Sequence, residues 1–433
     1  MIRYINTFCF TLIWLYFPIH ILRAQRAFEA NDSVTLGAGY IDDVYYSLEK
    51  GFKKSVKRGD WDIAFMVNPS SSILVNTAEQ RMLYKLPYAV NQWKQVDTTG
   101  HIRNQNRLVN SSKSWYNGAF NRTASGASND IGWAVYDIFT HSLKGDSLYA
   151  ISLPGKVWKK LMIEGREQGI YTFRFANLDG SEEMLRSVNV REYQNQLFIY
   201  FSILRNEFLP PDREPLPKEW DLLFTKYMHE YENVPIQEET RFYPVTGALL
   251  NPSLQGAKVI TTTPKNAKWQ EANFTPQADI VGFDWKTFNN QTMQWQLDYN
   301  RVYFVKDHNN SVWRLYFTDF TGSRSGKILF YKDKVGEITS NDENLDKTIT
   351  YSQLYPSPAR ELTYWIFESL YPLREAELEI YNSSGRKMQS YTFSAMPGLN
   401  QLPIDTSNLT SGIYYVVLKS DTFSLSQKLV VIE

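Results

Sequence analysis

The side chains in this sequence that could bind a metal ion or haem iron are few. The chain has five histidines, and four of them follow the apolar N-terminal segment: His101, His141, His229 and His308. The stretch KEWDLLFTKYMHEY (218–231) carries Met228 directly before His229. Two of these histidines, if they converge in the fold, could hold haem iron axially, and so could one histidine with a methionine such as Met66 or Met228. His229, His141 and Met228 are therefore the candidate iron ligands.

Each histidine also has a structural interpretation. His308 in the DHNN turn and His101 in TTGHIRN have the surroundings of solvated turn residues. His141 follows YDIFT, where a strand would end at the surface. His229 ends an aromatic-rich alternating stretch, which makes it the strongest candidate of the four. Successive residues of a strand face opposite sides, so Met228 and His229 could meet one iron only if a bulge intervenes.

Composition and motifs argue against several classes of function. The 46 basic and 46 acidic residues balance, without a Lys/Arg-dense run, so no nucleic-acid partner is expected. The sequence lacks G-x-S-x-G, H-E-x-x-H and P-loop motifs, and LGAGYID (36–42) lacks the third glycine of a dinucleotide loop. Carboxylates are plentiful, but no pattern identifies a glycosidase pair. We expect that the protein is not an enzyme.

The N-terminal residues 1–24 have the pattern of a secretory signal peptide. A short basic head precedes an apolar run over residues 5–22, and the small residue Ala24 follows. The alternative is a single membrane anchor, but Pro18 and His20 interrupt the run and no other stretch approaches the roughly 20 apolar residues of a span. We expect cleavage near Ala24 and no transmembrane segment in the mature chain.

The single cysteine, Cys9, lies inside that apolar run. Its position excludes disulfides, thiolate metal sites and a cysteine nucleophile from the rest of the chain. The pattern is typical of a bacterial secreted protein that is stabilised by packing.

The rest of the chain is predicted to be mainly β. Short segments rich in aromatic and β-branched residues alternate with polar residues and end at turn clusters, as in IYTFRFANLDGSEEM (170–184). In RVYFVKDHNNSVWRLYFTDFTGS (301–323), KDHNN joins two alternating runs and predicts a hairpin. Only the stretches 77–86 and 154–165 have the composition of short helices.

Breaks in composition divide the chain into modules. LPPDREPLPKE (209–219) predicts a stiff Pro-rich linker, and the acidic polar stretch 337–353 predicts a second linker. The predicted modules are residues 25–208, 220–336 and 354–433.

The first two modules show signs of a divergent duplication. Three pairs of segments match in the same order: WDIAF (61–65) with WDLLF (220–224), IGWAVYDIF (131–139) with VGFDWKTF (281–288), and LYAISLPGKVWKKLMI (148–163) with VYFVKDHNNSVWRLYF (302–317). The offsets drift by only a few residues, which favours duplication over chance. In an extended WDLLF segment Trp220 and Phe224 share one face, which would enter the core.

The C-terminal module carries a succession of motifs. A YPxPA start, a strand that ends in a G-R turn, an IDxSxLxSGIYxVxL core and a final K-L-V strand follow one another over residues 354–433. This succession resembles the C-terminal sorting domain (type A) of type IX secretion cargo, with Ser357 where the family usually has Asn. The motif residues are Pro356, Pro358, Gly385, Gly412, Tyr414 and Lys428. The resemblance implies an Ig-like β-sandwich, the type IX machinery as partner and attachment to the outer-membrane cell surface. The alternative is that the C-terminal module is a β-sandwich with a binding role and no role in sorting.

The middle of the chain resembles the HmuY-like family in its framework. The segments that carry the likeness include YTFRFANLDGS (171–181), YPVTGALLNP (243–252) and VWRLYFTDFTGSRSGKILFYKD (312–333). The family is mainly β, and its founding members capture haem and deliver it to an outer-membrane receptor. Its axial His or Met residues lie in loops that align with no residue here, so no ligand is carried over. Family members are commonly lipoproteins, whereas this chain has no lipid-acceptor cysteine.

Together these features predict a duplicated HmuY-like β module followed by an Ig-like sorting domain. The expected function is non-catalytic ligand capture at the cell surface, with haem as the cofactor that the resemblance implies. The alternative is a surface adhesin or glycan-binding protein, because exposed Trp and Tyr side chains on a sheet can stack on sugars.

Overall fold

The computed structural model describes residues 29–432 apart from residue 69 and the segments 97–105, 126–128, 138–139, 141, 232–240, 338–348, 370–372, 396–397 and 421–423. The predicted signal peptide (1–24) and the candidate ligand His141 lie outside the described residues, as does His101. In the part of the chain that is described, no helix is long and apolar enough to cross a membrane.

The described residues form thirty β-strands and short 3-10 turns. The first fifteen strands are β1 Asp32–Thr35, β2 Asp42–Ser47, β3 Gly51–Lys57, β4 Ile63–Met66, β5 Ile73–Val75, β6 Met82–Lys85, β7 Arg107–Leu108, β8 Ala134–Asp137, β9 Ser142–Gly145, β10 Tyr149–Leu153, β11 Val157–Glu167, β12 Ile170–Asn177, β13 Met184–Asn189, β14 Phe198–Ser202 and β15 Glu207–Phe208. The next eight are β16 Leu222–Glu230, β17 Phe242–Leu250, β18 Gln255–Ile260, β19 Lys286–Asn289, β20 Gln294–Leu297, β21 Arg301–Lys306, β22 Ser311–Phe320 and β23 Lys327–Glu337. The last seven are β24 Ile349–Tyr355, β25 Leu362–Ser369, β26 Leu373–Asn382, β27 Lys387–Ala395, β28 Gly398–Asp405, β29 Gly412–Lys419 and β30 Ser424–Val431.

The 3-10 turns connect these strands. They are Ala38–Tyr40, Arg58–Asp60, Thr77–Glu79, Val90–Gln95, Ala119–Thr123, Pro154–Lys156, Val190–Tyr193, Pro211–Arg213, Pro217–Glu219, Pro264–Asn266, Trp269–Glu271 and Gly322–Arg324. The mainly β fold class is confirmed. The two stretches expected to be short helices each begin with a 3-10 turn and continue as a strand, β6 in the first stretch and β11 in the second. The KDHNN hairpin joins β21 to β22, which pair antiparallel.

Strands β4 to β15 form sandwich 1. One sheet has the order β13-β12-β11-β10-β6-β7, with β8 and β9 beside β11, and the other has the order β15-β14-β4-β5. Aromatic and branched side chains on the facing sides of both sheets build one core, which includes Phe65, Ile199, Phe201, Tyr171 and Phe173. These side chains alternate with outward ones because successive strand residues face opposite sides.

Sandwich 2 is built from β16 to β23 together with β1, β2 and β3. Its sheets have the orders β3-β2-β16-β17 and β1-β23-β22-β21-β18. The core between them includes Tyr46, Phe224, Trp285, Phe317 and Phe330. The predicted division places residues 32–57 in the first module, whereas these strands hydrogen-bond to strands of the second. Strand pairing acts through space and has no local signature in the segment that supplies the strand.

The two sandwiches have the same strand order. Strands β13, β14 and β15 hold the same places in sandwich 1 that β1, β2 and β3 hold in sandwich 2. Likewise β4, β5 and β6 correspond to β16, β17 and β18, and β10 to β12 correspond to β21 to β23. The repeat in the sequence is therefore residues 32–177 followed by residues 184–337, and each repeat supplies three strands to the sandwich of the other.

The two WD stretches occupy equivalent places. The amide of Asp62 donates to Phe201 O at 2.9 Å, and that of Asp221 donates to Tyr46 O at 2.8 Å. The Asp62 carboxylate accepts from the Leu204 amide, as that of Asp221 does from the amide of Leu48. The two WD stretches thus hold equivalent places, directly before β4 in sandwich 1 and directly before β16 in sandwich 2.

The sandwiches meet at a seam between the sheets that contain β4 and β16. We use the name seam for the contacts among Tyr45, Trp220 and Leu223 of sandwich 2 and Leu197 and Trp115. Trp115 also packs against the outer face of the β4 sheet and against the β16–β17 pair. Its indole N–H donates to Leu250 O at 2.7 Å. Trp115 therefore links the two sandwiches.

The C-terminal module is a separate sandwich of two antiparallel sheets. Their orders are β24-β25-β28 and β27-β26-β29-β30, and the core includes Trp365, Phe367, Val416 and Leu418. Strand β24 begins inside the predicted linker 337–353, whose residues 338–348 lie outside the described part of the chain.

Candidate functional site

His229 lies near the end of β16, opposite Tyr243 of β17. Its imidazole packs against Phe283 at 4.7 Å and meets Tyr231 edge-on at 4.9 Å between ring centroids. About 20% of its side chain is exposed. The ring therefore sits at an aromatic edge of sandwich 2 that solvent reaches.

A buried carboxylate stands behind this imidazole. His229 Nδ1 lies 3.9 Å from Asp279 Oδ2, and this buried nitrogen has no hydrogen-bond partner among the residues that the structure describes. Asp279 accepts hydrogen bonds from Ser112 Oγ at 2.7 Å and from Gln277 Nε2 at 2.6 Å. Because the hydroxyl of Ser112 is bound to the carboxylate and not to the imidazole, the three groups do not form a nucleophilic triad.

The imidazole of His229 is held in its neutral form. Burial lowers the pKa of His229, and the negative charge of Asp279 opposes that effect only in part. A neutral imidazole is the form that coordinates a metal. At neutral pH the ring is thus able to act as a ligand through the nitrogen that faces away from Asp279.

Met228 does not share a site with His229. The paired strands β16 and β17 run without a register shift from Leu222 to Glu230, so consecutive side chains alternate between the two faces. Met228 is buried and lines a cavity of about 100 Å³ in the seam. No bulge brings its sulfur to the His229 side of the sheet.

The remaining described histidine has a structural contact. His308 Nε2 lies 3.3 Å from the backbone carbonyl oxygen of Trp220, in the WD stretch of sandwich 2. Among the described residues, no group of three or more His, Cys, Asp or Glu side chains could hold a metal ion.

The seam contains buried charges that the sequence analysis placed in a linker. Arg213 and Glu214 belong to the Pro-rich stretch 209–219, yet both are buried. The Glu214 carboxylate accepts from the amides of Leu197 and Phe198. Burial raises the pKa of Glu214 to about 7. This stretch is a packed crossing between sheets, and four prolines among charged residues gave no sign of that.

Arg58 is a second buried cation at the seam. Its Nε donates to Asp43 Oδ1 at 3.1 Å and its Nη2 to Asp42 O at 3.0 Å. The Asp43 carboxylate also accepts from Thr225 Oγ1 at 2.6 Å. The charges thus bind the end of β3 to β2 and β16, which is a structural role.

A wider polar groove of about 620 Å³ lies between sandwich 1 and the C-terminal sandwich. Its walls carry amide, hydroxyl, guanidinium and phenol groups, including those of Tyr116, Asn117, Asn121, Arg122 and Tyr355. Side chains of this kind hydrogen-bond and stack on sugars. The groove could not be predicted from the sequence, because its lining residues come from distant segments of the chain.

The sorting-domain motif residues lie in turns and strands of the C-terminal sandwich. Pro356 and Pro358 lie between β24 and β25, and Gly385 takes a positive φ of 79° in the turn before β27. Gly412 begins β29, and the hydroxyl of Tyr414 donates to Thr410 O at 2.8 Å. Lys428 in β30 pairs with Tyr415.

Comparison with known proteins gives a family match for the C-terminal residues and a weak similarity to a solved structure. Residues 353–432 match the family described as secretion system C-terminal sorting domain. No family match supports the predicted HmuY-like region, and no curated protein matches the chain. Among solved structures, dimeric latent PorU from Porphyromonas gingivalis is similar at 10% identity and a TM-score of 0.18. The match covers 83% of this chain and 31% of that chain, so this chain spans about a third of its length.

The sorting-domain motif residues, and the seven-stranded C-terminal sandwich that carries them, agree with the family match. The family directs proteins to the type IX secretion machinery, and cargo of this pathway is secreted and attached to the cell surface. Residues 353–432 are a type IX secretion C-terminal sorting domain, and the protein is an exported cell-surface protein.

Proposed function

We propose that this exported protein is a non-catalytic ligand-capture protein, with haem as the first ligand to test and His229 as its contact. The observation that supports the proposal is the partly exposed imidazole of His229 between two aromatic rings. An aromatic edge offers apolar surface to a planar macrocycle, and imidazole is a common axial ligand of its iron.

Asp279 would act on the iron through His229. A small rotation of the imidazole would close the 3.9 Å gap and let Nδ1–H donate to the Asp279 carboxylate. A carboxylate behind a ligating imidazole fixes its tautomer and makes the other nitrogen more basic. Asp279 is itself held by Ser112 and Gln277, so it has little freedom to move away.

This proposal uses one protein ligand. Met228 lies on the opposite face of β16 from His229, so it cannot be the second ligand of the same iron.

A haem titration of the purified protein tests the proposal. We expect a shift of the Soret band at micromolar protein, and we expect His229→Ala to abolish that shift. Asp279→Asn should weaken binding by about tenfold, in the range seen for lost outer-shell partners. His308→Ala is the matched control, because this part-buried histidine contacts a backbone carbonyl elsewhere and should leave the titration unchanged. Absence of a Soret shift in the parent protein would refute haem binding.

A second proposal, a surface adhesin or glycan-binding protein, is favoured by the polar groove beside sandwich 1. Its tyrosine, amide and guanidinium groups suit hydrogen bonding and stacking on a sugar. A glycan array tests it directly. Binding to a glycan that Tyr116→Ala removes and Tyr243→Ala leaves intact would support this proposal, since exposed Tyr243 lies outside the groove lining. An array without signal would exclude it for the glycans displayed.

A further inference from the structure

Strands β1 to β3 precede Trp61 directly in the sequence, yet they complete the sandwich made by residues 222–337. Strand β2 pairs with β16, with Val44 opposite Phe224 and Tyr46 opposite Leu222. Strand β1 pairs with β23 in the other sheet. Residues 32–57 therefore contribute to both sheets of sandwich 2.

The contribution of this segment to the core is large. Val44, Tyr46 and Leu48 are almost completely buried in the core of sandwich 2. The ring of Tyr46 meets those of Phe224 and Phe330 edge-on, at 5.9 Å and 5.3 Å between centroids. Because β2 lies between β3 and β16, its removal would leave the sheet with only β16 and β17 and would expose these rings.

Polar contacts fix the same segment in register. The amide of Leu48 donates to Asp221 Oδ2 at 2.6 Å, and Lys332 Nζ donates to Leu48 O at 2.5 Å. Tyr46 Oη donates to Asp32 Oδ2 at 2.5 Å. The two bonds of Leu48 join the segment to the β16 side and the β23 side of the sandwich, and the Tyr46–Asp32 bond links β2 to β1 within the segment.

Sandwich 1 shows the same arrangement with the repeats reversed. There the second repeat supplies β14. The rings of Tyr200 and Trp61 lie 5.3 Å apart between centroids with an interplanar angle of 70°. The rings of Tyr45 and Trp220 in sandwich 2 have nearly the same geometry, 5.2 Å and 73°. The sequences VYYS (44–47) and IYFS (199–202) carry these equivalent strands. The exchange is therefore a property of both repeats and not an accident of the chain terminus.

We infer that residues 32–57 act as a clip that closes sandwich 2 from a distance in sequence, with β13 to β15 as the reciprocal clip of sandwich 1. The stability of β16 and β23 depends on Val44 and Tyr46, which lie some 180 to 290 residues earlier. Residues 61–177, which follow the clip directly, belong to a different core. A clip from a second copy of this chain has the same fit to the acceptor strands.

Hydrogen exchange on the full-length protein tests the clip. Val44→Asp places a charge in the core of sandwich 2, and we expect at least a tenfold loss of protection in β16, β22 and β23. Strands β10 to β12 of sandwich 1 should keep their protection. Ile199→Asp, at the equivalent position of β14, should give the opposite pattern. Phe52→Asp is the matched control, because this side chain of β3 is 60% exposed and should change neither sandwich.

A peptide of residues 29–57 adds a second measurement. Added to the Val44→Asp protein, it should restore protection to β16 and β23, whereas the same peptide with Val44→Asp should not. If the Val44→Asp protein does not fold, Val44→Ala in full-length protein should show the same selective loss to a smaller degree. Equal loss in both sandwiches, loss confined to residues 61–66, or no restoration by the parent peptide would overturn the inference.

Discussion

Lys286 is a buried lysine among aromatic rings. Its Nζ lies 4.0 Å from the ring centroid of Trp285 and 4.8 Å from that of Phe320, and it donates to Thr246 O. The ring faces favour the ammonium form, but burial is the larger effect. Burial lowers the pKa of Lys286 to about 7.

This lowered pKa predicts a pH-dependent stability. In the unfolded chain Lys286 titrates near 10.5, so between pH 7 and 10 the unfolded state binds more protons than the folded state. The free energy of unfolding should therefore rise with pH, by up to about 1.4 kcal/mol per pH unit from this group. Urea denaturation at pH 7.5, 8.5 and 9.5 measures the slope.

Lys286→Met should flatten that slope, since methionine has a similar length without the charge. Lys327→Met is the control, because Lys327 is exposed and its substitution should leave the slope as it is. Parallel pH curves for the parent protein and Lys286→Met would contradict the prediction.

Individual residues were the least predictable part of this protein from its sequence. The strongest histidine candidate, His229, does lie at a partly exposed aromatic edge. Its neighbour Asp279 lies 50 residues later in the sequence, and nothing in the local pattern connects the two. Arg213 and Glu214 have the composition of a solvated linker, yet the crossing between sheets buries them.

At the level of strands, two asparagines perform the same task in the two repeats. Asn76 Nδ2 donates to the carbonyls of Arg58 and Trp61 at 2.7 and 2.9 Å. Asn251 Nδ2 donates to those of Pro217 and Trp220 at 2.8 and 2.9 Å. Each amide thus holds the turn that precedes a WD strand.

Substitution of either asparagine should have a similar cost. Asn76→Ala and Asn251→Ala each remove two hydrogen bonds from a side-chain amide to backbone carbonyls, which should lower the free energy of unfolding by about 2–3 kcal/mol. Urea denaturation measures the loss. Asn300→Ala, at an exposed turn, should change stability by less than about 0.5 kcal/mol. A large effect at only one of the two sites would show that the repeats are not energetically equivalent.

Strand existence was predictable for most of the chain, but each of the two stretches expected to carry a short helix is a 3-10 turn followed by a strand. VWKKLMIEG in β11 has apolar spacing that fits a helix turn as well as an alternating strand. Antiparallel pairing with β10 and β12 on its two sides decides in favour of a strand.

For the molecule as a whole, the sorting domain should be separable from the rest in folding. The fully buried residues of its core lie between Leu354 and Val431, and the cores of sandwiches 1 and 2 contain none of these. A truncation at residue 353 should therefore leave a folded protein that is not exported across the outer membrane.

Cell fractionation and surface proteolysis test that expectation. The truncated protein should accumulate in the periplasm, whereas full-length protein with the exposed substitution Met388→Ala should reach the surface. Normal surface display of the truncated protein would show that residues 353–432 are not needed for export.

The sequence by itself determined the β class, the duplication and the sorting domain, because alternating apolar residues and short ordered motifs are local features of the chain. Only the tertiary structure decided which strands share a core. Residues 32–57 lie next to Trp61 in sequence but pack on Phe224 and Phe330, since hydrogen-bonded ladders and apolar burial act between segments that are neighbours in space. The same reason places Asp279 behind His229 and buries the Pro-rich crossing at the seam.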